Sequence, residues 1–196
     1  KIRHFSSPLP DDIDKIIIIT IDEESCEKLE ARWPWPRRIF ADLVRALHTS
    51  GAEIIGLNVA FTGQESGDEA STGEFAQAIR EHGNVIIGAT FDKENRLVKP
   101  NPVITEAVSR YGYLEKVVDP DFSIRRSYLL RPYLAQAARG TFESSFPFQI
   151  AAASVAGKRS SEPSFDRDSG IVSIGDPPKE IFIDEDGSYT INYLAA

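Results

Sequence analysis

Three short apolar segments rich in β-branched residues constrain the fold of this chain most strongly, because amphipathic helix patterns separate them. The segments are residues 13–22 (IDKIIIITID), 52–61 (AEIIGLNVAF) and 84–91 (NVIIGATF). Between them, apolar residues recur at three- and four-residue intervals over residues 36–51 and again over 74–83. Such apolar runs are typical of strands covered on both faces, and strand–helix–strand repeats form parallel sheets with right-handed crossovers. The first half of the chain therefore predicts a βαβαβ unit.

The second half predicts shorter, more antiparallel strands around one helix. The helix pattern covers residues 144–157, and Asp186-Gly187 is typical of a tight hairpin turn. We therefore predict an α/β fold: a single domain over residues 13–196 with a central mixed, mostly parallel sheet flanked by helices. Its C-terminal half is expected to end in a hairpin over residues 180–194. Residues 6–12 (SSPLPDD) are polar and turn-rich, and we predict that residues 1–12 form an entry linker.

Composition excludes several classes of function. The formal net charge of the 196-residue chain is -8, which repels a phosphate backbone, so we expect no nucleic-acid partner. The single cysteine, Cys26, cannot form an internal disulfide or a thiolate metal cluster. No G-x-S-x-G elbow, P-loop or dinucleotide fingerprint is present, so the sequence predicts no catalytic residue and no cofactor.

A stiff aromatic and cationic corner, residues 33–38 (WPWPRR), precedes the first amphipathic helix. Pro36 suits the first helical turn, and Pro34 keeps the preceding residues extended. Arg37 then lies near a helix N-terminus, where a cation opposes the macrodipole. One interpretation is a structural ion pair between Arg37 and an acidic residue of 22–24.

The other interpretation is a pocket for a small anion or polar ligand, formed by the indoles, Arg37 and the helix N–H groups. Clefts at the carboxyl ends of parallel strands commonly bind ligands, which favours this location. Under this interpretation the candidate ligand-binding residues are Asp22, Trp33, Trp35, Arg37, Asn58 and Asp68.

Other polar groups leave alternatives open. Residues 65–74 form an acidic loop that could supply oxygen ligands to a cation, although a solvated loop is the simpler interpretation. Residues 119–133 hold aspartates, arginines and tyrosines that predict a salt-bridge web or a contact with a ligand. The three histidines are scattered along the sequence, so no zinc site is predicted; His48 and His82 fall in the last turns of helices, where positive charge is favoured.

The ordered blocks of the sequence resemble the CHASE2 domain. The resemblance rests on IIIITIDEES followed by WPWPR, GAEIIGLNVAF, GDEASTGEFAQAI, GNVIIGATF, GYLEKVVDPDFSIRR, SFPFQIA and DEDGSYTINYLAA, and it covers nearly the whole chain. Two positions depart from the family pattern. Asn58 replaces a usual aspartate, which weakens a carboxylate-dependent cation site there. Phe122 replaces a usual glycine, so a glycine-type turn at that position is less expected.

The resemblance implies an extracytoplasmic ligand-sensing domain of a bacterial transmembrane signalling receptor, without catalysis in this segment. It implies that residues 1–12 are membrane-proximal and that the partners are transmembrane and cytoplasmic output domains, such as a cyclase, a histidine kinase or a Ser/Thr kinase. The stimulus is an unassigned small molecule or ion. The alternatives are a dimerisation module that forms a homodimer without a small ligand, or an α/β enzyme that uses acidic residues near Asp22 and Asp68.

Overall fold

The computed structural model describes residues 15–63, 69–116, 118–132, 142–156, 163–166, 168–175, 177–184 and 187–190. The predicted linker at residues 1–12 lies outside the described residues. The helices in the described part are α1 (Glu23–Lys28), α2 (Arg37–Thr49), α3 (Glu69–His82), α4 (Pro102–Thr105) and α5 (Phe146–Ala156). The strands there are β1 (Ile55–Ala60), β2 (Val85–Phe91), β3 (Leu97–Val98), β4 (Arg110–Tyr113), β5 (Arg126–Tyr128), β6 (Leu130–Pro132), β7 (Phe142–Ser144), β8 (Ser164–Asp166), β9 (Ile171–Ile174), β10 (Lys179–Phe182) and β11 (Ser188–Thr190).

A mixed four-stranded sheet forms the centre of the domain. β2 pairs in parallel with β1 on one side and with β4 on the other, with Ile87 opposite Leu57 and Tyr111. β3 folds back on the end of β2 in antiparallel register, with Leu97 opposite Phe91. The predicted βαβ connection across residues 52–91 is therefore confirmed, and both helices and strands occur in one domain.

One face of this sheet packs against α2 and α3, which contact each other. Alternate residues of β1 and β2 point to this side, because side chains along a strand alternate between faces. The buried cluster on this face contains Phe40, Ala41, Val44, Ile55, Leu57, Phe75, Ile79, Val85 and Ile87. The interleaved residue Ile86 packs on the opposite face with Phe146 and Ala153 of α5. The central sheet is thus covered on both sides.

Glycine makes the close approach of α5 possible. A Cβ atom built on Gly112 of β4 would lie 2.6 Å from the backbone of Phe146, closer than real Cβ contacts come. Helix α5 can therefore begin directly against β4. On its outer side, Phe148 and Ala152 pack against Val172 and Ile174 of a small antiparallel sheet, β8–β9–β10.

The predicted first strand is wrong. Residues 16–22 form no strand, and the side chains of Ile17 and Ile18 are 82% and 83% exposed. A β-branched run forms a strand only where an edge offers backbone partners. None of the described strands β1 to β11 pairs with this run. We call residues 16–21 the isoleucine segment.

The predicted closing hairpin is also wrong in its pairing. The turn exists, since the Asp184 N–H donates to the Ser188 carbonyl at 2.8 Å and Gly187 has a φ of 82°. The strands on either side separate, however, because β10 pairs with β9 and β11 pairs with β5. The last described strand therefore returns to the middle of the chain.

The helix predictions hold with shifted ends. α2 lies within the predicted range and is followed by Gly51 at a φ of 86°. α3 begins five residues earlier than the sequence pattern, at Glu69, and ends before Gly83. α5 is confirmed within residues 144–157.

Candidate functional site

The corner before α2 is a packed aromatic cluster. The ring centroids of Trp33 and Trp35 lie 6.1 Å apart, and Trp35 lies 6.1 Å from Phe40. Phe40 in turn packs edge-on against Phe61 at 4.9 Å. Trp35 is buried and donates its indole N–H to the Ala31 carbonyl at 3.1 Å, whereas Trp33 is half-exposed. We call Trp33, Trp35, Phe40, Phe61 and Phe75 the aromatic corner.

Arg37 is buried at the start of α2, only 5% exposed. Its guanidinium donates to the Thr72 hydroxyl at 2.6 Å and to the Gly63 carbonyl. The next backbone N–H, of Arg38, donates to the Ser71 hydroxyl at 2.7 Å. Because Pro36 offers no side-chain cap, α3 supplies the hydroxyls that cap α2 and hold its arginine.

The other candidate ligand-binding residues do not join this cluster. Asp22 caps α1 by accepting the Ser25 N–H at 2.9 Å, in a reciprocal capping box. Among residues 22–24, the Glu24 carboxylate pairs with Lys28 at 2.7 Å. Asn58 is exposed on β1, and Asp68 lies outside the described residues.

A second polar group lies at the carboxyl ends of β2 and β4. The Glu115 carboxylate accepts hydrogen bonds from the Thr90 hydroxyl at 2.7 Å and from the Phe91 N–H at 2.6 Å. Its other oxygen, Oε2, is buried without a hydrogen-bond partner in the part of the chain that the structure describes. An unsatisfied buried carboxylate oxygen costs free energy until a donor reaches it. This edge of a parallel sheet is also where ligands commonly bind.

Arg131 and Tyr113 complete this group. The Arg131 guanidinium lies 4.4 Å from the centroid of the Phe91 ring and donates to the Asn95 amide oxygen at 2.7 Å. The Tyr113 hydroxyl donates to the Tyr128 carbonyl at 2.8 Å. Burial raises the pKa of Tyr113; Arg131 opposes this rise and Glu115 adds to it, which places both charges near the hydroxyl. We call Thr90, Tyr113, Glu115 and Arg131 the strand-end cluster.

The predicted salt-bridge web at residues 119–133 forms without Arg131. Asp119 pairs with Arg125 and with Arg126, each at 3.0 Å, and these hydrogen bonds lower the pKa of Asp119. Asp121 pairs with Arg125 at 2.5 Å. Tyr133 lies outside the described residues.

The turn beside this web corrects an expectation about Phe122. This residue has a φ of 62°, in the left-handed region where glycine is favoured. The turn closes because the Phe122 N–H donates to the Asp119 carbonyl at 2.8 Å and the Asp119 N–H donates to the Ser123 carbonyl at 2.8 Å. The backbone therefore keeps the glycine-type turn although phenylalanine occupies the position.

Comparison with protein families identifies the chain. The model of the CHASE2 domain matches residues 2–195, nearly the whole sequence. The chain belongs to the CHASE2 family. CHASE2 domains are extracytoplasmic sensory domains. Neither a curated protein nor a solved structure matches the chain.

Two polar features of this CHASE2 domain escaped the sequence analysis. His48 and His82 are 34 positions apart, yet their Nδ1 atoms lie 3.1 Å from each other. Their shared position in the last turns of successive helices was the available signal, because successive helices that cover one face of a sheet run side by side. The strand-end cluster gave a weaker signal. In the sequence, Glu115 follows Tyr113 and Leu114 at the end of a short predicted strand, and Arg131 was grouped with the nearby aspartates.

Two further findings concern the described part of the CHASE2 domain. No helix there is both long enough and apolar enough to cross a membrane. No group of three or more histidine, cysteine, aspartate or glutamate side chains there could hold a metal ion.

Proposed function

We propose that this CHASE2 domain is the ligand-sensing part of a bacterial transmembrane signalling receptor, placed outside the cytoplasm, and that it carries no catalysis of its own. The observation that supports this proposal is the family match over residues 2–195. Its partners are then the receptor's own transmembrane and cytoplasmic output domains, such as a cyclase or a kinase.

We place the stimulus site at the strand-end cluster rather than at the aromatic corner. Trp35 and Arg37 are buried and packed, which leaves little of either side chain to meet a ligand. Glu115 and Arg131 are partly exposed and supply both signs of charge. The Oε2 atom of Glu115 is buried and meets no donor among the described residues, which favours a small polar ligand that carries an N–H or O–H donor.

A hydrogen-bond and strand-pairing route connects this site to the C-terminal strand. Tyr113 of the cluster donates to the carbonyl of Tyr128 in β5, and Tyr128 lies opposite Ser188 of β11. A ligand that moves the Tyr113 hydroxyl would therefore act on the β5–β11 pair. Such a displacement is the kind of local change that a sensor passes to the next domain.

A thermal-shift screen of the isolated domain against small metabolites, anions and divalent cations tests the proposal, because a ligand that binds the native state raises its melting temperature. A hit is then measured with Glu115→Gln and Arg131→Lys, which keep side-chain size, and with Arg37→Ala. We expect the shift to vanish in the first two variants and to persist in the third. Loss only in Arg37→Ala would move the site to the aromatic corner, and no hit at all would contradict a small-ligand sensor.

Self-association is a second candidate function, and the isoleucine segment favours it. Four consecutive side chains of this segment, those of Ile16 to Ile19, are each between 54% and 83% exposed. Contiguous apolar exposure marks interaction surfaces, and an extended β-branched run pairs readily with another strand. We propose a second copy of this chain as the partner.

Sedimentation equilibrium measures this association directly. We expect the domain to form a concentration-dependent dimer, and we expect Ile17→Lys with Ile18→Lys to make it monomeric. Leu29→Lys is the matched control, since Leu29 is 50% exposed outside the segment. A wild-type domain that stays monomeric at high concentration would rule out this function.

A further inference from the structure

The pair formed by His48 and His82 lies at the opposite end of the sheet from the strand-end cluster. His48 is in the last turn of α2, and His82 is the last residue of α3, three positions before β2 begins at Val85. This places the pair at the amino ends of the strands. Its chemistry is therefore separate from the stimulus site proposed above.

The geometry of the pair is that of two nitrogen atoms facing one another. The Nδ1 atoms are 3.1 Å apart, the ring centroids are 5.4 Å apart, and the rings are perpendicular. Without an ion, one neutral ring donates its Nδ1–H to the other. With both protons on Nε2, each Nδ1 atom carries a lone pair that can bind an ion.

We propose that His48 and His82 chelate one divalent ion of the zinc, copper(II) or nickel class between their Nδ1 atoms. Imidazole nitrogen suits these metals, and zinc lies about 2.0–2.1 Å from each histidine nitrogen. Two nitrogens at that distance from one ion and 3.1 Å apart subtend an angle between a right angle and the tetrahedral one.

The surroundings favour a cation at this point. The carboxyl-terminal ends of α2 and α3 both lie here, and each carries partial negative charge. The neighbouring charges are Arg45 and Glu81, whose side chains pair with each other at 3.7 Å across the two helices.

The site is expected to be exchangeable rather than structural. Structural zinc sites have four protein ligands, whereas this pair supplies two and leaves the other positions to water or an added ligand. His48 is exposed, which gives an ion direct access. The Nε2 atom of His82 is buried and meets no acceptor among the described residues, so it does not make there the hydrogen bond that usually orients a metal-binding histidine.

Proton NMR of the histidine rings tests the proposal on the metal-stripped domain at pH 7.5, with Zn²⁺ as the probe. The chain has three histidines, so the ring signals can be assigned with His48→Gln, His82→Gln and His4→Gln. We expect Zn²⁺ to shift the signals of His48 and His82 together with a stoichiometry of one ion per chain, and to leave His4 unchanged. Mg²⁺ should shift none of them.

Melting temperatures supply the second readout. Zn²⁺ should raise the melting temperature of the wild type and of His4→Gln, and the rise should disappear in either His48→Gln or His82→Gln. The rise should also weaken in acid, because protons then compete with the metal for imidazole nitrogen. A Zn²⁺ response that survives in either variant, or ring signals that stay fixed at millimolar Zn²⁺, would overturn the proposal.

Discussion

The aromatic corner and the isoleucine segment are both strongly apolar, yet the structure buries one and exposes the other. In the corner, Phe40 is 2% exposed and meets four aromatic rings with centroids 4.9 to 6.2 Å away. In the isoleucine segment, which lies earlier in the chain, Ile18 is 83% exposed. The difference shows that an apolar run becomes core only when another element supplies a complementary face. The aromatic corner packs against α3 and β1, whereas no described strand pairs with the isoleucine segment.

The largest expected effect tests the buried side of this comparison. Phe40→Ala removes the ring at the centre of the aromatic corner and should lower the free energy of unfolding by about 3–5 kcal/mol. Urea denaturation of the isolated domain measures the change. Ile18→Ala is the matched control and should change the monomer's stability by less than about 0.5 kcal/mol. Equal losses in the two variants would mean that the segment is buried in solution.

Arg37 tests whether the polar support of the corner is structural. Arg37→Ala leaves the Thr72 hydroxyl and the Gly63 carbonyl without their donor, so we expect a loss of about 1–3 kcal/mol. The adjacent Arg38 has an exposed side chain, and only its backbone N–H bonds to Ser71, so Arg38→Ala should be close to neutral. If both variants are neutral by urea denaturation, Arg37 does not brace the corner.

The exposed turn at Phe122 offers a smaller effect of opposite sign. A residue other than glycine in the left-handed conformation destabilises the folded state by roughly 1–2 kcal/mol. The side chain of Phe122 is 90% exposed, so its burial contributes little stabilisation to offset this. Phe122→Gly should therefore stabilise the domain by up to about 1 kcal/mol after the extra chain entropy of glycine is subtracted. A loss of stability in thermal unfolding would indicate that the ring packs against something in solution.

The salt-bridge web is expected to give the smallest effect, and only in acid. Hydrogen bonds from Arg126 and Arg125 lower the pKa of Asp119 from its ordinary 3.8. The folded state therefore gains stability that is present above pH 3.8 and is lost as the pH falls through the lowered value. When unfolding is measured from pH 6 to pH 2.5, the free energy of unfolding should fall slightly less for Asp119→Asn than for the wild type. An identical acid loss in both proteins would show that the exposed web adds nothing.

The sequence predicted those elements whose periodicity matches their burial. Residues 84–91 are apolar almost throughout, and β2 is buried on both faces as that pattern requires. The isoleucine segment has the same pattern, but strand formation also depends on a partner edge, which no local pattern encodes. The pairing of β11 with β5 was missed for a related reason, because the Asp186-Gly187 turn favours the adjacent strand and the long-range partner is decided by packing.

The candidate site was harder to predict than the fold. The sequence drew attention to Trp35 and Arg37 because they lie in a stiff corner before a predicted helix, whereas the structure buries both of them. Glu115 and Thr90 lie 25 positions apart and are brought together only by the parallel pairing of β2 with β4. The histidine pair depends in the same way on two helices packing side by side. These contacts follow from topology, which a single sequence determines only indirectly.

The location of residues 2–195 in the natural full-length protein tests the central claim most directly. Alkaline phosphatase is active only after export from the bacterial cytoplasm, so the natural protein, truncated after residue 196 and fused to this enzyme, reports the side of the membrane on which the domain lies. We predict that the phosphatase fusion is active and that a fusion of green fluorescent protein at the same position, which reports a cytoplasmic location, is not fluorescent. An inactive phosphatase together with a fluorescent partner fusion would place the domain in the cytoplasm and contradict an extracytoplasmic sensor.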